Sequence, residues 1–376
     1  MQTRFIDQVG QEISLLGFGC MRLPRLNKDT QDIDYSLGQA MVDRAIAAGV
    51  NYFDTAYLYH DGLSEPFIGQ ALKKYPRDSF CLATKMPTWS YIKTPEDVER
   101  IFADQLEKCR VDYFDFYLAH CLTKDHFLRF REIGVYEILQ KKKQEGKIRR
   151  LGFSFHDSPP VLEEIVSAYA WDFGQIQLNY MDWDDIDAKR QYEILRSRNI
   201  PVIIMEPVRG GSLAALNEEA VNILKSADPG ASLASWALRY AASLPGVITV
   251  LSGMSLPDQV EDNLNTFSPL RELSGDERET IARAAAAFRT SGSIACTGCR
   301  YCMDCPSGVN IPEIFAVFNR YCSTGNRDGA IKEYRGLKDG EKAHNCTKCN
   351  ICTEKCPQGL KIPSLMERMV YFAAGN

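Results

Sequence analysis

Two short stretches near the end of the chain constrain it more than anything else in it. They are Cys296-Thr-Gly-Cys299-Arg-Tyr-Cys302-Met-Asp-Cys305-Pro306 and Cys346-Thr-Lys-Cys349-Asn-Ile-Cys352-Thr-Glu-Lys-Cys356-Pro357, and they hold eight of the thirteen cysteines. Thiols this dense bind metal or are oxidised. An iron–sulfur cube offers four irons that each take one thiolate, so three cysteines two residues apart wrap one side and a fourth arrives from elsewhere. Zinc ribbons need only paired CxxC knuckles and leave the third cysteine of each run unexplained. Disulfides need an oxidising compartment, and the start Met1-Gln-Thr-Arg-Phe-Ile-Asp7 has no secretory apolar stretch. Two 4Fe–4S clusters use every cysteine of both runs; zinc and disulfides stand as the alternatives.

The runs resemble those of two-cluster ferredoxins, in which the Cys-Pro cysteine of each run ligates the other run's cluster. That resemblance assigns Cys296, Cys299, Cys302 and Cys356 to one cluster, and Cys346, Cys349, Cys352 and Cys305 to the second. The first run departs by having two residues, not three, before its Cys-Pro cysteine. Cys20, Cys81, Cys109, Cys121 and Cys322 lie outside the ligand spacing and read as small buried hydrophobes.

The rest of the composition is that of an ordinary globular protein, 45% hydrophobic and 25% charged. A net charge of −5 gives no electrostatic reason to expect nucleic acid or an anionic membrane surface. No apolar run reaches the roughly 18 residues of a membrane span. The expected location is a reducing cytoplasm.

From about residue 12 to 265, short apolar runs alternate with stretches of helical period. Expected strands are Ile13–Gly17, Tyr52–Asp54, Phe80–Lys85, Tyr113–Ala119, Arg150–Ser154, Gln175–Asn179, Pro201–Glu206 and Val247–Leu251. Helical segments between them include Gly38–Ala48, Thr94–Cys109, Val135–Gln144, Pro160–Ala168, Ile186–Arg198, Asn217–Lys225 and Leu233–Ala242. Eight strand–helix alternations of this length predict an α/β fold, a (β/α)8 TIM barrel. The missing glycine-rich dinucleotide fingerprint counts against a doubly wound sheet. Ser274 opens a capped helix to about Arg289, and Thr290-Ser-Gly-Ser293 reads as a joint. The expected domains are therefore a barrel over 1–289 and a small helical ferredoxin-like module over 290–376, with helices Pro312–Ser323 and Arg327–Gly336. No repeat of 20–50 residues is evident.

Barrel enzymes place their chemistry at the C-terminal ends of strands. Asp54, Lys85 and His120 close the second, third and fourth expected strands, and Tyr59 follows five residues after Asp54. Singly, such residues have mundane roles: capping, solvated charge, structural histidine. Together they suit carbonyl reduction. A phenol is a reluctant acid at its ordinary pKa of about 10, and an ammonium beside it pulls that value down. Asp54 would hold Lys85 charged, and His120 would orient the substrate oxygen or relay a proton.

Asp54, Tyr59, Lys85 and His120 match, in type, order and placement, the catalytic tetrad of the aldo-keto reductase family. Leu16-Gly-Phe-Gly19-Cys-Met-Arg-Leu-Pro24 and Val250-Leu-Ser-Gly-Met-Ser255 also resemble that family over roughly residues 12–265. With the cysteine tail, the chain resembles its ferredoxin-domain branch. The resemblance implies an oxidoreductase acting on a small carbonyl or alcohol, with Tyr59 as general acid/base and NADP(H) or NAD(H) as hydride carrier. Ser252, Gly253, Ser255, Gln259 and Asn263 would meet the adenosine end, with Gln259 replacing a frequent arginine. Ser154 and Gln175 would hold the carboxamide, although Phe155 replaces the usual asparagine. Met205 stands where a tyrosine commonly stacks on the nicotinamide, while Arg209, Gly210 and Gly211 suit a pyrophosphate. Two altered nicotinamide contacts leave room for a flavin. Alternative readings are a ferredoxin-fed reductase using a flavin or direct electron delivery, and a non-enzymatic redox sensor or electron carrier; a ferredoxin or other electron-transfer protein is the candidate partner. Trp89, Tyr57, His60, His126 and Trp183 are candidate mouth-lining residues.

Overall fold

The structure is a computed structural model that describes residues 1–7, 10–27, 30–89 and 91–374. Among the described residues ten strands form: β1 (Thr3–Ile6), β2 (Gln11–Ser14), β3 (Leu16–Gly19), β4 (Tyr52–Asp54), β5 (Cys81–Pro87), β6 (Phe114–Leu122), β7 (Ile148–Phe155), β8 (Phe173–Gln177), β9 (Val202–Met205) and β10 (Val247–Gly253). Strands β3 to β10 close into a parallel barrel in chain order, β10 pairing back onto β3. Both faces of such strands are covered, so their sequences run apolar without alternation. Every residue of β5, β6 and β8 is buried. Inside the barrel, Tyr52, Ala83, Phe116, Leu118, Phe173, Ile203 and Ile248 pack as one cluster.

The expected first strand, Ile13–Gly17, is two strands. Gln11–Ser14 pairs antiparallel with β1, and Leu16–Gly19 enters the barrel. A continuous apolar run carries no mark of the change of partner at Leu15. Helices Ser64–Leu72, Lys124–Ile133, Pro257–Thr266 and Ile362–Ala373 add to those expected. Capping boxes at Thr94/Asp97 and Ser274/Glu277 start the helices Pro95–Cys109 and Gly275–Arg289. Among the described residues, no helix is long and apolar enough to cross a membrane.

The chain forms two compact units, Met1–Pro207 with Leu238–Glu272, and Val208–Ala237 with Leu273–Asn376. All ten strands belong to the first. The second is helical, and its core gathers Phe315, Phe318, Met366, Met369 and Phe372 from helices Ile311–Thr324 and Ile362–Ala373.

This unit corrects the expectation of no repeat. Cys305-Pro-Ser-Gly308-Val-Asn-Ile311-Pro312 and Cys356-Pro-Gln-Gly359-Leu-Lys-Ile362-Pro363 share one pattern, and the backbone follows it. Gly308 and Gly359 both take positive φ, at 69° and 60°. So do the second and fourth residues after each opening cysteine: Gly298 and Arg300 at 68° each, Lys348 at 60° and Asn350 at 66°. Each Ile-Pro pair then opens a helix, where proline's fixed φ and missing N–H fit the first turn. The unequal spacing before the Cys-Pro cysteines offsets the two copies by one residue and hides the likeness in the sequence.

Candidate active site and cluster ligands

Asp54, Lys85 and His120 lie at or near the C-terminal ends of β4, β5 and β6, and the barrel brings them together with Tyr59. The Lys85 Nζ donates to Asp54 Oδ1 at 2.5 Å, to the Thr55 carbonyl at 2.8 Å and to the Tyr59 hydroxyl at 3.1 Å. An ammonium has three N–H donors, and all three are engaged, which fixes its direction. Lys85 is fully buried and Asp54 nearly so. Burial pushes the Lys85 ammonium down and the Asp54 carboxyl up, and each charge opposes the other's shift.

Burial also pushes the Tyr59 phenol well above the ordinary tyrosine range; Asp54 adds to the rise and Arg22 opposes it. The sequence reading expected the ammonium to set the phenol's acidity. Instead, desolvation of the phenolate outweighs nearby positive charge. Tyr59 is therefore held protonated.

The His120 ring stands edge-on to Tyr59 at 5.9 Å between centroids. It is buried, and desolvation together with the Lys85 charge keeps it well below the usual histidine range, hence neutral. Thr88 Oγ1 donates to the His120 carbonyl at 2.6 Å. The β6–β7 register shifts between Ala119 and Leu122, and Cys121 takes a φ of 56°. Such a bulge re-aims the side chain beside it. Ser154 Oγ accepts from the Cys121 N–H at 2.8 Å, so this serine braces the His120 turn.

Trp89 lies between two imidazoles, 5.2 Å from His120 and stacked on His126 at 5.4 Å. His126 is fixed by its Nδ1 hydrogen bond of 2.6 Å to the Cys121 carbonyl. The other mouth candidates separate. His60 is buried, its Nε2 accepting from the Leu23 N–H and its Nδ1 donating to the Gln31 carbonyl, each at 3.1 Å. It positions the loop carrying Tyr59. Tyr57 lies beneath Lys108, and Trp183 packs on Tyr192 and Tyr240.

The expected nicotinamide contacts sit on neighbouring strands. Gln175 Nε2 reaches Met205 Sδ at 3.5 Å. The Gln175 Oε1 is buried with no hydrogen-bond partner, a costly state that a ligand's N–H group relieves. Asn263 Nδ2 donates to Ser252 Oγ at 2.8 Å, and Gly253 runs close to the Arg22 side chain. Ser255 Oγ donates to the Arg22 carbonyl at 2.7 Å. Gln259 is engaged locally, its Oε1 accepting from the Ser255 and Leu256 N–H groups at 2.8 and 3.2 Å. That carboxamide caps a helix where an arginine would offer charge. Arg22 also pairs with Glu206 at 2.7 Å, a partnership that no spacing announced because 184 residues separate the two. Arg209, Gly210 and Gly211 belong to the second unit. There Gly210 packs so tightly on Thr297 that a Cβ would meet its Cα at 2.4 Å.

The cluster cysteines fall into two groups. Cys296, Cys299, Cys302 and Cys356 line one cavity, walled by Ile311, Pro312, Phe315, Leu360 and Ile362. Burial pushes the Cys302 thiol up, with Cys299, Cys296 and Cys356 as its charged neighbours. Cys352 is likewise raised by burial, and its neighbours are Cys346 and Cys305. Each run thus lies with the Cys-Pro cysteine of the other. An ion pair between Lys355 and Asp304 ties the two Cys-Pro turns together. Among the described residues, no three His, Cys, Asp or Glu side chains converge on a point for one metal ion. Tetrahedral zinc would draw its sulfurs to about 3.8 Å apart, given Zn–S bonds of about 2.3 Å, whereas a cube spreads its four thiolates wider. The donor set and the cavity fit a 4Fe–4S cluster. No disulfide joins any of the thirteen cysteines.

Comparison with known proteins agrees with both halves. Residues 15–286 match the Aldo/keto reductase family, and residues 295–361 match a 4Fe-4S dicluster domain. L-galactose dehydrogenase of Arabidopsis thaliana is 27% identical over 318 residues, covering 76% of this chain and 94% of the relative. The NADH-specific methylglyoxal reductase of Escherichia coli is 26% identical over 279 residues, covering 62% and 83%. Among solved structures, a holo-form aldo-keto reductase of Bacillus halodurans superposes with a TM-score of 0.62 at 27% identity, covering 76% of this chain and 97% of that one.

Proposed function

This chain belongs to the aldo/keto reductase family, and from that premise we propose that it interconverts a small carbonyl compound and its alcohol by NAD(P)(H)-dependent hydride transfer. The observation that carries the reading is the Lys85 ammonium bonded at once to Asp54 and Tyr59. A bound nicotinamide would supply or accept the hydride. Gln175 and Ser154 would hold its carboxamide, Met205 its ring face, and Ser252, Gly253, Ser255 and Asn263 the adenosine end. Arg209, Gly210 and Gly211 are the residues proposed for the pyrophosphate.

The chain's own groups handle the proton. Tyr59 donates from its hydroxyl to the carbonyl oxygen during reduction and takes the proton back during oxidation. Lys85 holds that hydroxyl in place and stabilises the phenolate left behind. Neutral His120 directs the substrate oxygen toward Tyr59. In the capping role of Gln259, nothing at that position favours a 2′-phosphate, and one relative is NADH-specific. Both observations support NADH as a working cofactor.

Residues 290–376 would hold the two clusters in the crossed ligand sets, and such centres move electrons one at a time. We propose that they exchange electrons with the barrel's two-electron chemistry, residues 1–289. We propose a reducing cytoplasm, where the eight cysteines of the two runs stay available as thiolates. Anaerobic holoprotein should oxidise NADH or NADPH with at least one member of a small-carbonyl panel. Complete inertness toward the panel, and toward the matching alcohols with the oxidised cofactors, would exclude the hydride reading.

A further inference from the structure

The two cysteine loops share one backbone course, yet their surroundings differ. In the first, Thr297 is buried at 3% exposure beneath Gly210, and of the residues up to Tyr301 only Gly298 is exposed. In the second, the equivalent residues Thr347, Lys348, Cys349, Asn350 and Ile351 are all exposed. Cys349 is thus the one exposed ligand among the eight. Beside it lie three uncovered apolar side chains: Ile351 at 39%, Val370 at 38% and Tyr371 at 68% exposure. Lys348 draws this surface together, pairing with Glu367, which stands one turn before Tyr371 in helix Ile362–Ala373.

Charge indicates what covers it. Between Lys342 and Lys361 stand four lysines (Lys342, Lys348, Lys355 and Lys361) against Glu354 alone, a local net of +3 in a chain whose total is −5. Lys342, Lys348 and Lys355 have carboxylate partners, Asp339, Glu367 and Asp304, but in each pair at least one side chain is well exposed. Such pairs are weak and exchange readily with a carboxylate from outside.

The geometry points to the Lys348–Ile351 loop with Val370 and Tyr371 as the docking face for a small acidic one-electron carrier protein. The inference rests on the clusters being redox-active. Each encounter passes one electron, so the carrier is oxidised by one and the cluster held by Cys346, Cys349, Cys352 and Cys305 is reduced by one; two encounters match one hydride. The other loop, packed on Gly210, is covered against such a partner. Basic residues around an apolar centre steer an acidic partner and make association depend on salt.

The test uses anaerobic holoprotein and an acidic [2Fe–2S] ferredoxin as probe, with affinity measured by calorimetry and cluster reduction by stopped flow. Reduced methyl viologen serves as an undocked reductant. Lys348→Glu/Lys355→Glu should weaken affinity at least 10-fold at low ionic strength and flatten the salt dependence. Tyr371→Ser, which replaces no cluster ligand, should weaken it several-fold with iron content unchanged. Viologen should reduce all three proteins equally. Unchanged affinity in Tyr371→Ser and in an iron-replete double variant overturns the docking face while the redox reading stands. Clusters that viologen cannot reduce defeat the redox reading itself. Light scattering that shows a dimer of the 42.4 kDa chain, broken by Tyr371→Ser, assigns the face to a second copy and overturns the carrier.

Discussion

The barrel site and the cysteine loops solve the same problem, holding reactive groups in place, by opposite means. Asp54, Tyr59, Lys85 and His120 come from three strands and a loop, and each is fixed by protein before any cofactor arrives: three hydrogen bonds on Lys85, Thr88 on the His120 carbonyl, His60 on the Tyr59 loop. The cluster ligands are local in sequence, and most are partly exposed. Their loops repeat left-handed residues, and the second is exposed throughout from Thr347 to Ile351. The barrel site is thus organised by the fold, whereas the cysteine loops are expected to gain order when iron binds.

Four changes probe that contrast, taken from the largest expected effect. Tyr59→Phe removes the proton donor but no packing, so kcat should fall about 10³-fold, roughly 4 kcal/mol of barrel chemistry. Iron content and melting temperature should not move; a variant with substantial turnover removes Tyr59 from the chemistry. Lys85→Met leaves Asp54 buried without its cation and should cost about 3–5 kcal/mol of stability. The double variant Asp54→Asn/Lys85→Met should recover part of that in chemical denaturation, and no recovery would mean the pair is not coupled.

Iron removal addresses the other half. Chelation, or Cys302→Ser with Cys352→Ser, should abolish protection of amide hydrogens in Ile311–Thr324 and Ile362–Ala373. Strands β4 to β6 should exchange as before. Equal loss in both regions would erase the contrast drawn above.

The smallest effect is a matter of pH. Burial, with His126 and Lys85 adding to it, pulls the His156 imidazole from 6.5 down to about 4. Between those values the unfolded chain binds a proton that the folded one does not. Stability therefore rises with pH through this window and is lost as pH falls from 6.5 toward 4. His156→Gln should flatten the decline in melting temperature by a few degrees; an unchanged slope would assign it to other groups.

Much of this was legible beforehand because strand ends are. In a barrel, a polar residue closing an apolar run faces the catalytic end, and Asp54, Lys85 and His120 each do so. Lost to the reading were features made by distant partners. His60 looked like a mouth residue until Leu23 and Gln31 were seen to hold it. Gln259 Oε1 caps its own helix start at Ser255 and Leu256, a local role that residue type alone does not announce. The apolar run at Ile13–Gly17 hid a hairpin and a barrel strand because hydrophobicity does not say which neighbour a strand pairs with. Burial raises the Tyr59 phenol for a related reason: the sequence names the ammonium beside it, while the extent of burial belongs to the fold.

One isotope experiment meets the central claim most directly. Anaerobic holoprotein is given a reducible carbonyl substrate and nicotinamide deuterated at the transferring carbon, in ordinary water. The account predicts an alcohol carrying deuterium on its carbinol carbon and solvent hydrogen on its oxygen, with formation collapsing in Tyr59→Phe. An alcohol with solvent hydrogen on that carbon, formed at an undiminished rate in the variant, would contradict it.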